Sequence, residues 1–346
     1  MLYTNLPHTE IEVSKICLGT MTWGNQNSED QSHYQMDYDV DKGINLFDKS
    51  VLYSIPAHPD RKSKKYKIFG NCFKKNGNRE NIVLASKIAG KAEFTKFIRT
   101  TGFTRDSIIE AVEGSLNRLQ TDYIDLYQLH WPERSTNYFG IRGYKHDVSD
   151  HWKDNIHQVL ETLRDLIREG KIRQVGLSNE NPWGMMRFLE ESKVHPSLPR
   201  MITIQNPYSL LNRQFEIGSS EIAMREDMKL LAYSPLGFGA LSGKYLGDRL
   251  PENSRLALFP NYDRYIKGNS KIATQKYYEL AQSHDLSLTQ MALAFVNSRP
   301  FLTSNIIGAT TMKQLEENIT SIEIELSQEV LEGIEAIHNK IPNPAP

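Results

Sequence analysis

The feature that most constrains the fold is a regular alternation of short apolar runs with longer stretches of helical periodicity. The runs are rich in β-branched residues, as buried strands are, and they span residues 15–19, 45–48, 82–87, 123–130, 172–178, 201–205, 229–234 and 305–308. Alternating strands and helices predict a parallel sheet with right-handed crossovers. Eight such units without a break in composition favour an α/β fold closed into a (β/α)8 TIM barrel. An open doubly wound sheet is the alternative that this pattern leaves.

Two segments lie outside the alternation. Residues 3–13 carry two short runs separated by a turn, which predicts an N-terminal hairpin over the bottom of the barrel. Residues 327–340 predict an extra helix after the eighth unit. Thr104 and Ser287 stand where helix N-caps are expected. With no linker or low-complexity tract in the sequence, we expect a single domain over residues 1–346.

Charge and cysteine content exclude several classes of function. The chain has 41 Lys and Arg against 42 Asp and Glu, a formal net charge of −1, and this balance argues against a nucleic-acid or membrane-surface partner. No run of 18 apolar residues and no signal-peptide pattern is present, so we expect a cytoplasmic protein. Cys17 and Cys72 form no CxxC pair, which argues against a disulfide framework and a zinc ribbon. The oligomeric state is not predicted.

Two connections between a strand and the following helix are long. They span residues 131–154 and about 237–273. In a barrel, both connections emerge at the C-terminal face, where the loops build the active site. Long connections of this kind are usually lids or binding loops, so the sequence predicts function at this end.

Polar side chains stand at the ends of neighbouring predicted strands. Asp48, Lys87 and His130 end the second, third and fourth strands, and Tyr53 follows the second strand. A carboxylate, an ammonium, a phenol and an imidazole suit proton transfer to a carbonyl oxygen while a hydride attacks its carbon. A cation beside the phenol lowers its pKa, which is ordinarily about 10. Taken singly, each residue also has a structural explanation as a cap, a surface charge or a core histidine.

A phosphate-binding loop of the G-x-G-x-x-G type is absent, but residues 308–318 offer another anion site. Thr310 and Thr311 stand at a predicted helix start, with Gln314 and Asn318 on one face of that helix. Barrels bind phosphate at such helix N-termini after the seventh and eighth strands. An ordinary threonine-capped helix is the alternative.

Several motifs together resemble those of the aldo-keto reductase family, and among its branches the bacterial Tas-type branch most. They are Asp48 with Tyr53, GTM at 19–21, ASK at 85–87, DLYQLH at 125–130, GKIRQVGLSN at 170–179, QNPYSLL at 205–211 and YSPLG at 233–237. The resemblance covers nearly the whole chain in the family's order. It implies a barrel that uses NADPH to reduce small aldehydes and ketones. It also implies a catalytic set of Asp48, Tyr53, Lys87 and His130, with Tyr53 as general acid.

The resemblance further implies where the cofactor binds. Ser178, Asn179 and Gln205 match the groups that hold the nicotinamide carboxamide, and Tyr233 matches the aromatic residue that stacks on its ring. The residues that match cofactor-binding positions are Gly19, Thr20, Met21, Asp48, Ser178, Asn179, Gln205, Tyr233, Ser234, Pro235, Leu236, Lys244, Arg255, Gly308, Thr310, Gln314, Glu317 and Asn318. Lys244 and Arg255 match phosphate-holding positions. The final segment matches the site of the adenosine and its 2′-phosphate, which favours NADPH over NADH.

The sequence leaves three questions open. Lys49 replaces a usually small or acidic residue, and it either competes with Lys87 for Asp48 or points away. The barrel also resembles potassium-channel β-subunits, so a regulatory NADP(H)-binding subunit is the alternative function, against which His130 speaks. A metal-dependent hydrolase is disfavoured because no His-x-His or ligand cluster marks a strand end. Aromatic residues that could line a substrate pocket are Trp23, Phe139, Tyr144, Trp152 and Phe238.

Overall fold

A closed barrel of eight parallel strands forms the centre of the structure, a computed structural model that describes residues 1–50 and 64–346. Two short strands, β1 (Tyr3–Asn5) and β2 (Glu12–Ser14), precede the barrel. The barrel strands are β3 (Ile16–Gly19), β4 (Leu46–Asp48), β5 (Val83–Ile88), β6 (Ile124–Leu129), β7 (Ile172–Ser178), β8 (Met201–Pro207), β9 (Lys229–Tyr233) and β10 (Leu302–Ile307). Barrel neighbours follow chain order from β3 to β10, and β10 pairs with β3. This last pairing excludes the open sheet and confirms the predicted (β/α)8 barrel.

Helices follow the barrel strands, as the alternation predicts. They are α1 (Glu29–Asp41), α2 (Lys64–Asn76), α3 (Arg105–Leu119), α4 (Ile156–Arg168), α5 (Pro182–Val194), α6 (Ser219–Arg225), α7 (Arg255–Leu258), α8 (Asn269–Ser283), α9 (Leu288–Asn297), α10 (Met312–Thr320) and α11 (Gln328–Lys340). Thr104 and Ser287 cap α3 and α9, each accepting a hydrogen bond from a backbone N–H three residues on. Helix α11 is the predicted extra C-terminal helix. Within the described part of the chain, no helix is long and apolar enough to cross a membrane.

The predicted N-terminal hairpin is present and closes one end of the barrel. Strands β1 and β2 pair antiparallel, and the hairpin contributes Leu6 and Val13, both fully buried. These two side chains join an apolar cluster inside the barrel whose strand members are Cys17, Leu46, Val83, Ala85, Leu126, Ile202, Leu231 and Ile306. The lower half of the barrel is therefore a packed hydrophobic layer, which leaves chemistry to the opposite end.

The two long connections differ in structure. The connection after β6 runs through turns and bends until α4 begins at Ile156. The connection after β9 contains short 3₁₀ turns and α7, and it ends where α8 begins at Asn269, four residues before the predicted boundary. Both connections leave the C-terminal ends of their strands, the end of the barrel opposite the hairpin.

Candidate active site

Directly above the apolar layer, three neighbouring strands point polar side chains into the barrel. Successive residues of a strand face opposite sides, so residues two apart share a face. Asp48 on β4, Lys87 on β5 and Gln128 on β6 each lie two residues beyond an apolar member of the inner cluster. All three are buried. Strand periodicity therefore brings a carboxylate, an ammonium and an amide together at the inner end of the site.

Lys87 and Asp48 form a buried ion pair. Lys87 Nζ lies 2.6 Å from both carboxylate oxygens of Asp48 and 3.3 Å from the backbone carbonyl oxygen of Lys49. Burial lowers the pKa of Lys87 below its ordinary value, and the Asp48 carboxylate opposes this shift. Gln205 Nε2 also donates to Asp48 Oδ1 at 3.0 Å. The carboxylate is held from two sides, which fixes the direction of the lysine.

His130 immediately follows β6 and is 3% exposed. Burial, with a smaller effect from Lys87, lowers the pKa of His130 well below its ordinary value of 6.5. The imidazole is therefore neutral near pH 7. Its Nδ1 lies 3.1 Å from Ser50 Oγ; when that hydroxyl donates, the ring carries its proton on Nε2. Tyr53, the fourth predicted catalytic residue, lies outside the described residues.

A chain of hydrogen bonds joins the residues predicted to hold the carboxamide. Asn179 Nδ2 donates to the backbone oxygen of His130 at 2.9 Å and to Ser178 Oγ at 3.0 Å. Ser178 Oγ donates to the backbone oxygen of Gln205, and the Tyr233 hydroxyl donates to Asn179 Oδ1 at 2.6 Å. Asn179 has a φ of +56°, a conformation that costs energy for a residue with a side chain. These contacts hold it there.

A cavity of about 380 Å³ opens where β3, β9 and β10 end. The predicted cofactor residues that line it are Gly19, Thr20, Met21, Asp48, Tyr233, Ser234, Pro235, Leu236, Lys244, Arg255, Gly308, Thr310, Gln314, Glu317 and Asn318. Ser178, Asn179 and Gln205 do not line this cleft. Asn179 is hydrogen-bonded to Tyr233 and Gln205 to Asp48, which do line it, and Ser178 is hydrogen-bonded to Asn179 and to the backbone of Gln205. Lys87 is joined to the cleft through Asp48. The structure thus gathers the predicted set around one space.

Glycine at position 19 is required by close packing. A Cβ there would lie 2.8 Å from the Ile306 side chain and 3.0 Å from the backbone oxygen of Ile307. Real Cβ atoms do not approach neighbours that closely, so only glycine lets the end of β3 lie against β10 at the edge of the cleft. A Cβ at Gly308 would have only the backbone oxygen of Gly19 within 4 Å, at 3.7 Å, because this position faces open space.

The donor groups of the cleft suit a phosphorylated ligand. Burial lowers the pKa of Lys244 and the nearby positive charge of Arg255 lowers it further, so two cations face a shared region. Helix α10 begins at the same cleft with Thr311 as N-cap, and a helix N-terminus favours anions. A polyanion there would relieve the repulsion between the cations, and the residues present therefore fit the phosphates of a dinucleotide.

The polar residues of α10 are tied to the rim of the cleft. Gln314 Oε1 accepts from the backbone N–H and the hydroxyl of Thr310, both at 3.0 Å. Asn318 Nδ2 donates to the backbone oxygen of Gly308 at 3.2 Å, and Glu317 accepts from Ser287 at 2.6 Å. The predicted adenosine-binding segment is therefore ordered by its own contacts.

Comparison with known proteins decides the family. The model of the "Aldo/keto reductase family" matches residues 15–339. The chain belongs to the aldo/keto reductase family. It is similar to Protein tas of Escherichia coli, with 46% identity over the full length of both chains. An aldo-keto reductase of Babesia bovis is 38% identical over 69% of this chain and 88% of its own. The uncharacterized oxidoreductase YrpG of Bacillus subtilis is 32% identical over 96% of this chain and 94% of its own. As a member of the aldo/keto reductase family, the protein is an oxidoreductase.

Lys49, which departs from the aldo/keto reductase pattern, points away from the Asp48 carboxylate. Its side chain is fully buried, and its Nζ lies 4.0 Å from the ring centre of Phe69, 5.2 Å from that of Tyr66 and 6.0 Å from that of Trp23. Cations are attracted to such ring faces. We call Trp23, Tyr66 and Phe69 the aromatic cage.

The five aromatic residues suggested for a substrate pocket separate in space. Phe238 lines the cleft. Trp23 belongs instead to the aromatic cage, where its indole N–H donates to Gln35 at 2.8 Å, so a pocket role for Trp23 is wrong. The other three lie in the loop after β6: Phe139 contacts Trp131, Trp152 contacts Trp183, and Tyr144 contacts His146.

Sequence reasoning missed several residues that shape this aldo/keto reductase site. Gln128 Nε2 lies 3.5 Å from Asp48 Oδ1. The sequence did offer a sign of this role, because Gln128 is a polar residue in a strand that is buried throughout. Ser50 contacts His130, as described above. Gln26 Nε2 donates to the backbone oxygen of Asn253 at 3.3 Å, which joins two loops that both line the cleft. No sequence pattern marks that last contact, because it depends on how the loops fold.

Proposed function

We propose that the protein is an NADPH-dependent reductase of small aldehydes and ketones. The observation that carries this proposal is the buried ion pair of Lys87 and Asp48 beside a cleft that also contains Lys244 and Arg255. The ion pair suits proton transfer at the reacting carbonyl, and the two cations suit a phosphorylated cofactor. Membership of the aldo/keto reductase family supports both parts.

In this proposal, Tyr53 is the proton donor. NADPH, when bound, supplies the hydride. Tyr53 donates its proton to the carbonyl oxygen, and a positive charge at Lys87 eases this by favouring the phenolate and lowering the phenol pKa. Asp48 keeps Lys87 oriented, as its two 2.6 Å contacts permit. The role of Tyr53 is taken from the family resemblance and from its position shortly after β4.

His130 orients the substrate. Because its pKa is well below 6.5, it acts as a neutral donor and not as an acid. With Ser50 donating to Nδ1, the ring carries its proton on Nε2, and in this proposal Nε2 donates to the carbonyl oxygen of the substrate. This oxygen would then receive hydrogen bonds from His130 and Tyr53, which polarises the carbonyl toward hydride attack.

The preference for NADPH over NADH rests on the α10 segment. Lys244 and Arg255 would hold the pyrophosphate. Thr310, Gln314 and Asn318, beside the N-terminus of α10, would surround the 2′-phosphate that only NADPH carries. We therefore expect NADPH to bind clearly more tightly than NADH, as measured by fluorescence titration. Equal affinities would overturn this assignment.

The test of the function is NADPH oxidation, followed by absorbance, with a reactive aromatic aldehyde. We expect the wild type to turn over and Tyr53→Phe to lose at least about 100-fold in kcat, while its affinity for NADPH is retained. Tyr34→Phe is the matched control, since Tyr34 is 61% exposed, and it should behave as the wild type. Tight NADPH binding without turnover by the wild type would instead favour the regulatory subunit.

A further inference from the structure

Two histidines and a glutamate converge between α4 and α5, on the outside of the barrel. His157 Nδ1 lies 2.6 Å from Glu191 Oε1, and His195 Nε2 lies 3.4 Å from the same oxygen. The two imidazole rings are 4.8 Å apart. One ligating atom from each residue lies within 4.8 Å of the others. The catalytic cleft uses none of these residues.

The three donors match those of a transition-metal site. Imidazole nitrogen and carboxylate oxygen bind Zn²⁺ at roughly 2.0–2.2 Å, which sets neighbouring donors in a tetrahedron about 3.4 Å apart. The His195–Glu191 distance already has this value. The shorter contact of His157 is a hydrogen bond, and a rotation of its imidazole, which is 45% exposed, would open it to admit an ion.

The carboxylate of this cluster is held from behind. The Glu191 side chain is 10% exposed, and its Oε2 accepts from Arg187 at 2.6 Å. Arg187 in turn donates to Asp154 at 2.8 Å. Such outer contacts fix the direction of a metal-binding carboxylate and leave its other oxygen for the ion.

The charge around the cluster also suits a cation. Glu161 Oε1 lies 3.9 Å from His157 Nε2, one turn along α4. Arg187 is balanced by Asp154 and Glu191, and Arg164 lies 3.7 Å from Glu161. The acids Asp154, Glu161 and Glu191 outnumber these two arginines, so the carboxylates and guanidinium groups together leave a net negative charge.

We propose that His157, Glu191 and His195 bind a zinc-class dication, with water completing the coordination. Imidazole with carboxylate suits Zn²⁺, Ni²⁺ and Co²⁺ better than Mg²⁺ or Ca²⁺, which prefer oxygen ligands. The ion would join the first turn of α4 to the end of α5. Through Arg187 and Asp154 it would also fix the end of the connection that leaves β6.

The experiment is a titration of the untagged, full-length protein with Co²⁺ after treatment with chelator, followed by visible absorption. We expect one Co²⁺ per chain, with a tetrahedral absorption band that Zn²⁺ abolishes and excess Mg²⁺ does not. His195→Gln and His157→Gln should each weaken binding at least about tenfold. His8→Gln is the matched control, since His8 is 44% exposed and also faces a carboxylate, and it should bind as the wild type.

Zn²⁺ should also raise the thermal unfolding midpoint of the wild type and of His8→Gln, but not that of His195→Gln. His195 is 47% exposed, so this variant should fold normally, which circular dichroism checks. Absence of a bound ion in the wild type, or equal affinity in the wild type and both ligand variants, would overturn the site. Neither readout depends on reductase activity.

Discussion

Lys87 Nζ lies 2.6 Å from each carboxylate oxygen of Asp48, and both side chains are buried at the centre of the barrel. The pair exists because two neighbouring strands each turn a charged residue inward just above the apolar layer. A buried charge of this kind depends on its partner, since water cannot replace it. The same contact therefore affects both stability and chemistry.

Replacing the carboxylate should damage both properties. Asp48→Asn leaves the Lys87 ammonium buried without its counter-charge, and we expect the free energy of unfolding to fall by about 3–5 kcal/mol. Turnover should fall at least about 100-fold. Urea denaturation and NADPH oxidation measure the two effects. Glu221→Gln, which breaks the exposed pair with Arg225, should change neither. A stable and active Asp48→Asn would contradict the role of the pair.

The position of Lys49 predicts that it does not compete for Asp48. Lys49→Met keeps the aliphatic stem inside the aromatic cage, so kcat should not rise. Lys49→Ala also leaves a cavity there and should be less stable than Lys49→Met by roughly 2 kcal/mol. Steady-state kinetics and urea denaturation of the two variants test this. A several-fold gain in kcat for Lys49→Met would mean that Lys49 does draw on the carboxylate.

His130 should make stability depend on pH. In the unfolded chain its imidazole takes up a proton as the pH falls below about 6.5, whereas in the folded protein burial and Lys87 hold the pKa well below that value. The unfolded state then binds more protons, so the folded state loses stability on acidification. From pH 6.5 to 5.5, the free energy of unfolding should fall more steeply in the wild type than in His130→Gln. The difference is at most about 1.4 kcal/mol per pH unit. Parallel curves would argue against a depressed pKa.

Lys244 should contribute to cofactor affinity but not to stability. A charge-assisted hydrogen bond to phosphate is worth about 1.5–3 kcal/mol, so Lys244→Met should weaken NADPH binding by roughly 10- to 100-fold. Because its charge is repelled by Arg255 in the free protein, the variant should be as stable as the wild type. Lys276→Met, on the exposed side of α8, is the control for both measurements. Unchanged NADPH affinity in Lys244→Met would place the phosphates elsewhere.

Much of the fold follows from local pattern. The eight strands were predictable because each is a short apolar run bounded by helix starts, and Thr104 and Ser287 marked two of those starts correctly. The polar layer inside the barrel was also predictable, since Asp48 and Lys87 each lie two residues after an apolar residue of the same strand and therefore share its face. Eight units also favoured closure of the sheet, but the open alternative was excluded only by the pairing of Ile306 with Cys17, which are far apart in sequence.

Other features depend on packing between distant segments. Lys49 Nζ lies against the rings of Trp23 and Phe69, one of which precedes it in the chain and the other follows it. Trp23 was only one of five aromatic residues that the sequence offered for a pocket, because its contacts with Gln35 on α1 and Phe69 on α2 depend on how those helices pack. The cluster of His157 and Glu191 likewise forms only when two helices pack side by side.

The most direct test of the central claim is whether a hydride passes from NADPH to a carbonyl carbon in this cleft. NADPH carrying deuterium on one or the other face of the nicotinamide C4 is incubated with a nitrobenzaldehyde, and the alcohol is analysed by mass spectrometry. We predict deuterium at the carbinol carbon from one face only in the wild type, and none above background in Lys87→Met. Alcohol without deuterium from either face, or no alcohol while NADPH is bound, would contradict the account.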